Sequence, residues 1–122
     1  MRPDEDPQPD ARKSEAPGRF AENRFYQALS VQTRRRVLAH LLTRDHCTVD
    51  ELVDVLVGWE VTTSPMVDSA RAEQLRIGLV HRHLPLLEEA ALISYDRASG
   101  EVAIEPLSPP VEQLIQQSIE AE

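Results

Sequence analysis

The chain has 122 residues, 4% aromatics and a net charge of −8. That fits one domain with a single core of Leu, Val, Ile and Ala, and leaves no room for two. No apolar run approaches the roughly eighteen residues that cross a bilayer, and no apolar stretch near the N-terminus suits a signal peptide, so a cytoplasmic protein without a membrane partner is expected.

Cys47 is the single cysteine, which excludes an internal disulfide and any multi-cysteine zinc centre within one chain. Twelve of the thirteen basic residues are arginine, Lys13 being the only lysine. An acidic, arginine-rich surface stays hydrated in high salt, as in a halophilic protein, although an acidic protein from a GC-rich mesophile has the same composition. The charge opposes generic nucleic-acid affinity at low salt and leaves room for a local basic face.

Residues 1–19, "MRPDEDPQPDARKSEAPGR", hold four prolines and nine charges. They bury too little to offset the entropy of ordering, which predicts a disordered tail. From Phe20 the pattern becomes helical, with Phe25, Tyr26 and Leu29 in a first helix and Val37, Leu38, Leu41 and Leu42 in a second. Asp45-His46-Cys47 reads as the end of that second helix. Thr48 followed by Glu51 has capping-box spacing and predicts a third helix from Val49 to about Trp59, its apolar residues being Leu52, Val53, Leu56 and Val57.

A loop over 60–67 follows, then a long helix capped by Asp68 or Ser69. Leu75, Ile77, Leu79, Val80, Leu84, Leu86 and Leu87 form its apolar arc, opposite Arg71, Gln74, Gly78, His81 and Arg82. Pro85 either bends this helix or ends it. "ISYD" and "EVAIE" then alternate, placing Ile93, Tyr95, Val102 and Ile104 on one hairpin face with Gly100 at positive φ in the turn. Ser108 opens a last helix with Pro110 in its first turn.

The expected fold is mainly α with a small β-hairpin, in the winged helix-turn-helix arrangement: a three-helix core, a wing and a C-terminal helix. The tail over 1–19 precedes a domain over 20–106, and 107–122 is the helix expected to pair two copies.

"ALSVQTRRRVLAHLL" resembles the opening of arsenical-repressor-like (ArsR-like) winged-helix regulators, and "HRHLPLLEEAALI" before a hairpin resembles the end of their recognition helix. Arg34 to Arg36, Trp59-Glu60, His83-Leu84-Pro85 and Tyr95-Asp96 are similar to a group of small winged-helix proteins of halophilic archaea. The resemblance, over roughly residues 25 to 105, implies a DNA-binding regulator that dimerises, with no chemistry assigned. The long loop over 60–67 departs from the short turn usual in a helix-turn-helix.

For DNA, the reading helix must present donors to base edges and phosphates. Arg71, Gln74, His81 and Arg82 suit that task, Gly78 allows close approach, and Arg97 at the hairpin tip is placed to reach phosphate or the minor groove. An ordinary solvated helix face is the competing explanation. Arg34 falls on the core side of its helix, where a salt bridge to an acid of a neighbouring helix is expected, while Arg35 or Arg36 offers one phosphate contact.

No metal site is expected. His81 and His83 diverge by about 200° around a helix, and His40, His46 and Cys47 gather only by tertiary accident. No cofactor, small-molecule substrate or enzyme activity is indicated, since no phosphate loop or activated nucleophile is recognisable.

The sequence thus points to a dimeric, sequence-specific regulator that reads the major groove of double-stranded DNA with residues 71–82. The alternative is a protein-interaction adaptor on the same scaffold. Acidic wing residues Asp96, Glu101 and Glu105 favour that alternative, as do Leu75, Leu79 and Leu86, which need cover if they face outward.

Overall fold

The structure, a computed structural model, describes residues 22–63 and 69–121. The tail expected over 1–19 and the cap expected at Asp68 lie outside them. The chain is mainly helical with one small antiparallel sheet. Helix α1 covers residues 22–29. It is followed by α2 (Gln32–Arg44), strand β1 (His46–Thr48), α3 (Val49–Thr63) and α4 (Ser69–Gly78). A π-helical turn (Leu79–His83) leads into α5 (Leu84–Glu89), then β2 (Ile93–Asp96), β3 (Glu101–Ile104) and α6 (Pro109–Glu120). No described helix is long and apolar enough to cross a membrane.

The core takes residues from nearly every element. Val37, Leu38 and Leu41 of α2, Leu52 and Leu56 of α3, Leu79, Leu84 and Leu87 of the long segment, Val102 of β3 and Ile115 of α6 are all buried. Each such Leu contributes about 1.5–3 kcal/mol by leaving water. Because Ile115 joins the common core, α6 belongs to the same body as the rest. Leu75 and Leu79 are also buried, so the cover they would need if they faced outward is supplied within the chain. Leu86 packs partly buried against the same core, and Ile77 is the exposed residue of that arc, at 51%.

The expected hairpin is present, with Ile93 opposite Ile104 and Tyr95 opposite Val102. Gly100 has φ +78°. Asp96 shapes the turn by accepting from the backbone N–H groups of Ala98 and Ser99 at 3.0 and 3.4 Å.

The stretch expected to be only a helix end is a third strand. His46, Cys47 and Thr48 of β1 pair with Ala103, Val102 and Glu101, so β3 lies in the middle of the sheet. Asp45 makes the corner between α2 and β1 at φ 68°. Its N–H donates to the Leu41 carbonyl at 2.8 Å, and its own carbonyl accepts from Ile104 N–H at 2.9 Å. The chain thereby leaves the helix and joins the sheet in one residue.

Thr48 then caps α3, its Oγ1 accepting from Glu51 N–H at 3.1 Å. α3 continues to Thr63, past the predicted end at Trp59, so only residues 64–68 separate it from α4, fewer than the loop over 60–67 implied.

Pro85 neither ends the helix nor breaks it. A proline removes one backbone donor and its ring crowds the carbonyl four residues back, here that of His81. The chain responds with the π turn immediately before it, in which Leu84 N–H donates to the Leu79 carbonyl five residues back. α5 closes on Ala91 at φ 63°. Ala91 N–H donates to Glu88 and Leu92 N–H to Leu87. This is a Schellman ending with alanine in the place glycine usually takes.

Candidate nucleic-acid interface

The arginine run at 34–36 is absorbed by the fold. The C-terminal carbonyls of α1 lack intrahelical partners. Arg34 supplies them, donating to the Gln27 carbonyl from Nε (3.1 Å) and Nη2 (2.7 Å), and Nη2 also reaches Ser30 Oγ at 3.3 Å. Arg35 Nη1 donates to the Leu29 carbonyl at 2.8 Å.

Arg34 is buried on the core side as its position predicts. The acidic partner expected for it is not among these contacts. A carbonyl, a hydroxyl and the ring nitrogen of His83 take that place. The carbonyls at a helix end are themselves negative, so no carboxylate is needed there. Arg36 lays its guanidinium 4.8 Å from the Trp59 ring centre. Its Nε is buried without a hydrogen-bond partner among the described residues. Both arginines named as phosphate contacts are therefore half-buried and engaged within the chain.

On α4 and the π turn, Arg71, Gln74, His81 and Arg82 are exposed. Arg71 is held by Glu60 at the end of α3 through two hydrogen bonds, Nε to Oε1 at 2.8 Å and Nη2 to Oε2 at 2.6 Å. Its Nη1 also donates to Gln74 Oε1 at 3.4 Å. This pairing holds the Glu60 carboxyl below its usual range and raises Arg71. Glu60 stood out in the sequence only within the Trp59-Glu60 resemblance and not as a partner of Arg71, since only the extension of α3 brings it to α4.

Gly78 is half-buried and turned inward. A Cβ there would sit 3.7 Å from His83 Cδ2 and 3.8 Å from Nε2. Its smallness therefore faces the His83 ring, not the exposed stripe. His83 is buried at 9% exposure while His81 is exposed, the separation their spacing predicts. Arg34 Nη1 donates to His83 Nδ1 at 3.2 Å. Arginine only donates, so Nδ1 carries no proton and the neutral ring holds it on Nε2. Burial, then Arg34, then Arg82 lower the His83 pKa from 6.5 to about 4.

Arg82 is thus close enough to act on His83, and its side chain has no acidic partner among the described residues. Arg97 at the hairpin turn is 58% exposed, lies 3.4 Å from Glu88 and stands 4.9 Å from the Tyr95 ring centre.

A second cluster lies between α2, β1 and α3. His40, Cys47 and Glu51 each offer a donor atom, and these atoms all lie within 4.8 Å of one another. His40 Nε2 donates to Glu51 Oε2 at 2.6 Å, which lowers the Glu51 pKa. Burial and the nearby Glu51 raise the Cys47 thiol to about 11. The sequence reading expected the histidines and the cysteine to stay apart. Strand β1 is what turns Cys47 inward beside His40, and no periodicity announces a strand of three residues.

The chain is thus a mainly helical protein in which a three-stranded antiparallel sheet packs on the helices. It belongs to the family described as Domain of unknown function (DUF7344), whose pattern matches residues 26–103. No curated protein and no solved structure matches the chain significantly.

Proposed function

We propose that the chain is a winged-helix regulator of the ArsR-like kind, which binds double-stranded DNA through the segment from Arg71 to Arg82 and uses the β2–β3 hairpin as its wing. The observation that carries this reading is the order of the elements. A helix (α2), a strand (β1) and two further helices (α3, α4) precede an antiparallel hairpin whose inner strand β3 pairs back onto β1. The three helices serve as a helix-turn-helix core, and the hairpin is tied to β1 by strand pairing while its strand β2 packs on α5, which continues the reading segment.

Within the reading segment the weight shifts to its C-terminal end. Arg71 is clamped by Glu60, so Gln74, His81 and Arg82 are the base-edge and phosphate donors, with Arg97 on the wing. Arg35 and Arg36 drop to supporting roles. A second copy docks on the apolar groove of about 450 Å³ between α1 and α6, where Tyr26 (64% exposed) and Leu114 (48% exposed) line the wall. Pairing there gives the two-fold symmetry that a palindromic site requires.

The adaptor reading has its own support. Trp59, Val61 and Ile77 are large apolar side chains left exposed on α3 and α4. Exposed large apolar side chains of this kind suit a protein partner.

Selection from genomic DNA fragments at molar potassium chloride separates the two, with wild type compared against a His81→Ala/Arg82→Ala double variant. Site-selective enrichment by wild type alone supports DNA reading. Equal or absent enrichment, together with stoichiometric capture of one protein that Ile77→Asp abolishes, supports the adaptor.

A further inference from the structure

We propose that His40, Cys47 and Glu51 form a binding site for a thiophilic divalent cation of the zinc type. The proposal is independent of the DNA-binding reading and stands or falls separately.

Three donors of different chemistry arrive from three different elements: an imidazole from α2, a thiol from β1 and a carboxylate from the first turn of α3. Their ligand atoms lie within 4.8 Å of one another. Zinc bonds of about 2.0–2.3 Å place tetrahedral ligand atoms roughly 3.3–3.8 Å apart. The triad reaches that spacing if the thiol draws in and the 2.6 Å His40–Glu51 contact opens by under about 1 Å.

The donor set is selective. A thiolate with an imidazole favours zinc over magnesium or calcium, which take oxygen ligands. A deprotonated Cys47 and Glu51 bring two negative charges, which neutralise a dication. The thiol proton leaves to solvent, and His40 coordinates through Nε2 after its N–H moves to Nδ1.

Access is also provided. Cys47 is buried, yet it lines a surface cavity of about 230 Å³ together with Arg44, His46, Thr48, Glu51 and Glu101. A fourth coordination position therefore faces that cavity, where water binds or His46 approaches. Arg44 in the lining opposes a cation, and Glu101 in the same lining offsets it.

The bland explanation is a His–Glu ion pair that happens to lie beside a packed cysteine. It makes different predictions. Full-length protein stripped with a chelator is titrated with cobalt(II). The proposal expects one equivalent to produce a thiolate-to-cobalt charge-transfer band in the near ultraviolet, displaced by one equivalent of zinc. Zinc should also protect Cys47 from alkylation.

Cys47→Ser should abolish the band and weaken zinc binding at least about tenfold, the scale at which even outer partners of a metal act. Glu51→Gln and His40→Gln should weaken binding similarly while keeping the sulfur band. Their half-buried side chains make them the deciding variants should Cys47→Ser fail to fold. Absence of a thiolate band in the wild type overturns the site. So does zinc affinity unchanged in both Glu51→Gln and His40→Gln.

Discussion

Arg34 and His83 meet in the interior although both carry polar heads, and each is held there by what the other offers. Arg34 satisfies the end of α1, and the His83 ring accepts its remaining donor at 3.2 Å. Only neutral His83 accepts that bond, and Arg34 and Arg82 both penalise its proton. The unfolded histidine titrates near 6.5 and the folded one near 4. Unfolding between those values therefore takes up a proton.

The sign follows: this contribution is fully present above about pH 6.5, shrinks as pH falls, and stops shrinking near pH 4, where folded His83 protonates too. Its size is on the order of 3 kcal/mol. Urea unfolding at pH 4.5 and pH 7 should show wild type losing more stability than His83→Gln, whose amide oxygen still accepts from Arg34. An equal loss in both would assign the acid sensitivity to carboxylates such as Glu51 and Glu60.

Arg82 provides a companion measurement, because it faces His83 with like charge. Arg82→Ala should raise the His83 pKa, read from the ring proton shifts by NMR, with no loss of stability near neutral pH. A fall in DNA binding by that variant is then a loss of contact and not of fold.

At the scale of elements, long periodic segments were legible and corners were not. The apolar spacing of α2 and α3, the Thr48 cap and the alternation of the hairpin strands all follow from residue pattern, because each rests on local geometry. Strand β1 does not, since a three-residue segment between a helix end and a helix cap has no period to read. Its pairing with β3 is decided by contacts more than fifty residues away in sequence. The candidate metal triad was hidden for the same reason. The Glu60–Arg71 pairing was hidden by the extension of α3, and the π turn by Pro85, whose effect depends on the core holding Leu84 and Leu87 on either side of it.

Two substitutions test the local account. Ala91 holds φ 63° in an exposed Schellman ending, a conformation that disfavours any residue with a Cβ by about 1–2 kcal/mol. Ala91→Gly should therefore stabilise the protein by about 1 kcal/mol in chemical unfolding, although glycine gains entropy in the unfolded chain. Gly78 is the opposite case. Its φ is −61°, and the His83 ring leaves ordinary van der Waals room for a methyl group. Gly78→Ala should thus raise stability by up to about 1 kcal/mol through helix propensity.

For the whole molecule, the distribution of charge decides how DNA binding would depend on salt. The net charge is −8, and the interior or intramolecular partners of Arg34, Arg35, Arg36 and Arg71 remove four arginines from ready contact with phosphate. Of the cations proposed to face DNA, Arg82 and Arg97 remain exposed for each copy, four in a dimer. Each neutralised phosphate adds about −0.9 to the slope of log K against log salt, so the expected slope is about −4. Such binding weakens roughly 150-fold for a fourfold rise in salt, less than a complex with more phosphate contacts would, and shape and base-edge contacts carry the rest of the affinity. Fluorescence anisotropy on a selected duplex across a potassium chloride series measures the slope directly. Arg82→Ala should flatten it by about 2 in the dimer, one phosphate per copy. A wild-type slope near −8 would instead mean that the arginines now capping α1 and pairing with Glu60 are released on binding, and that the bound protein rearranges the α1–α2 corner.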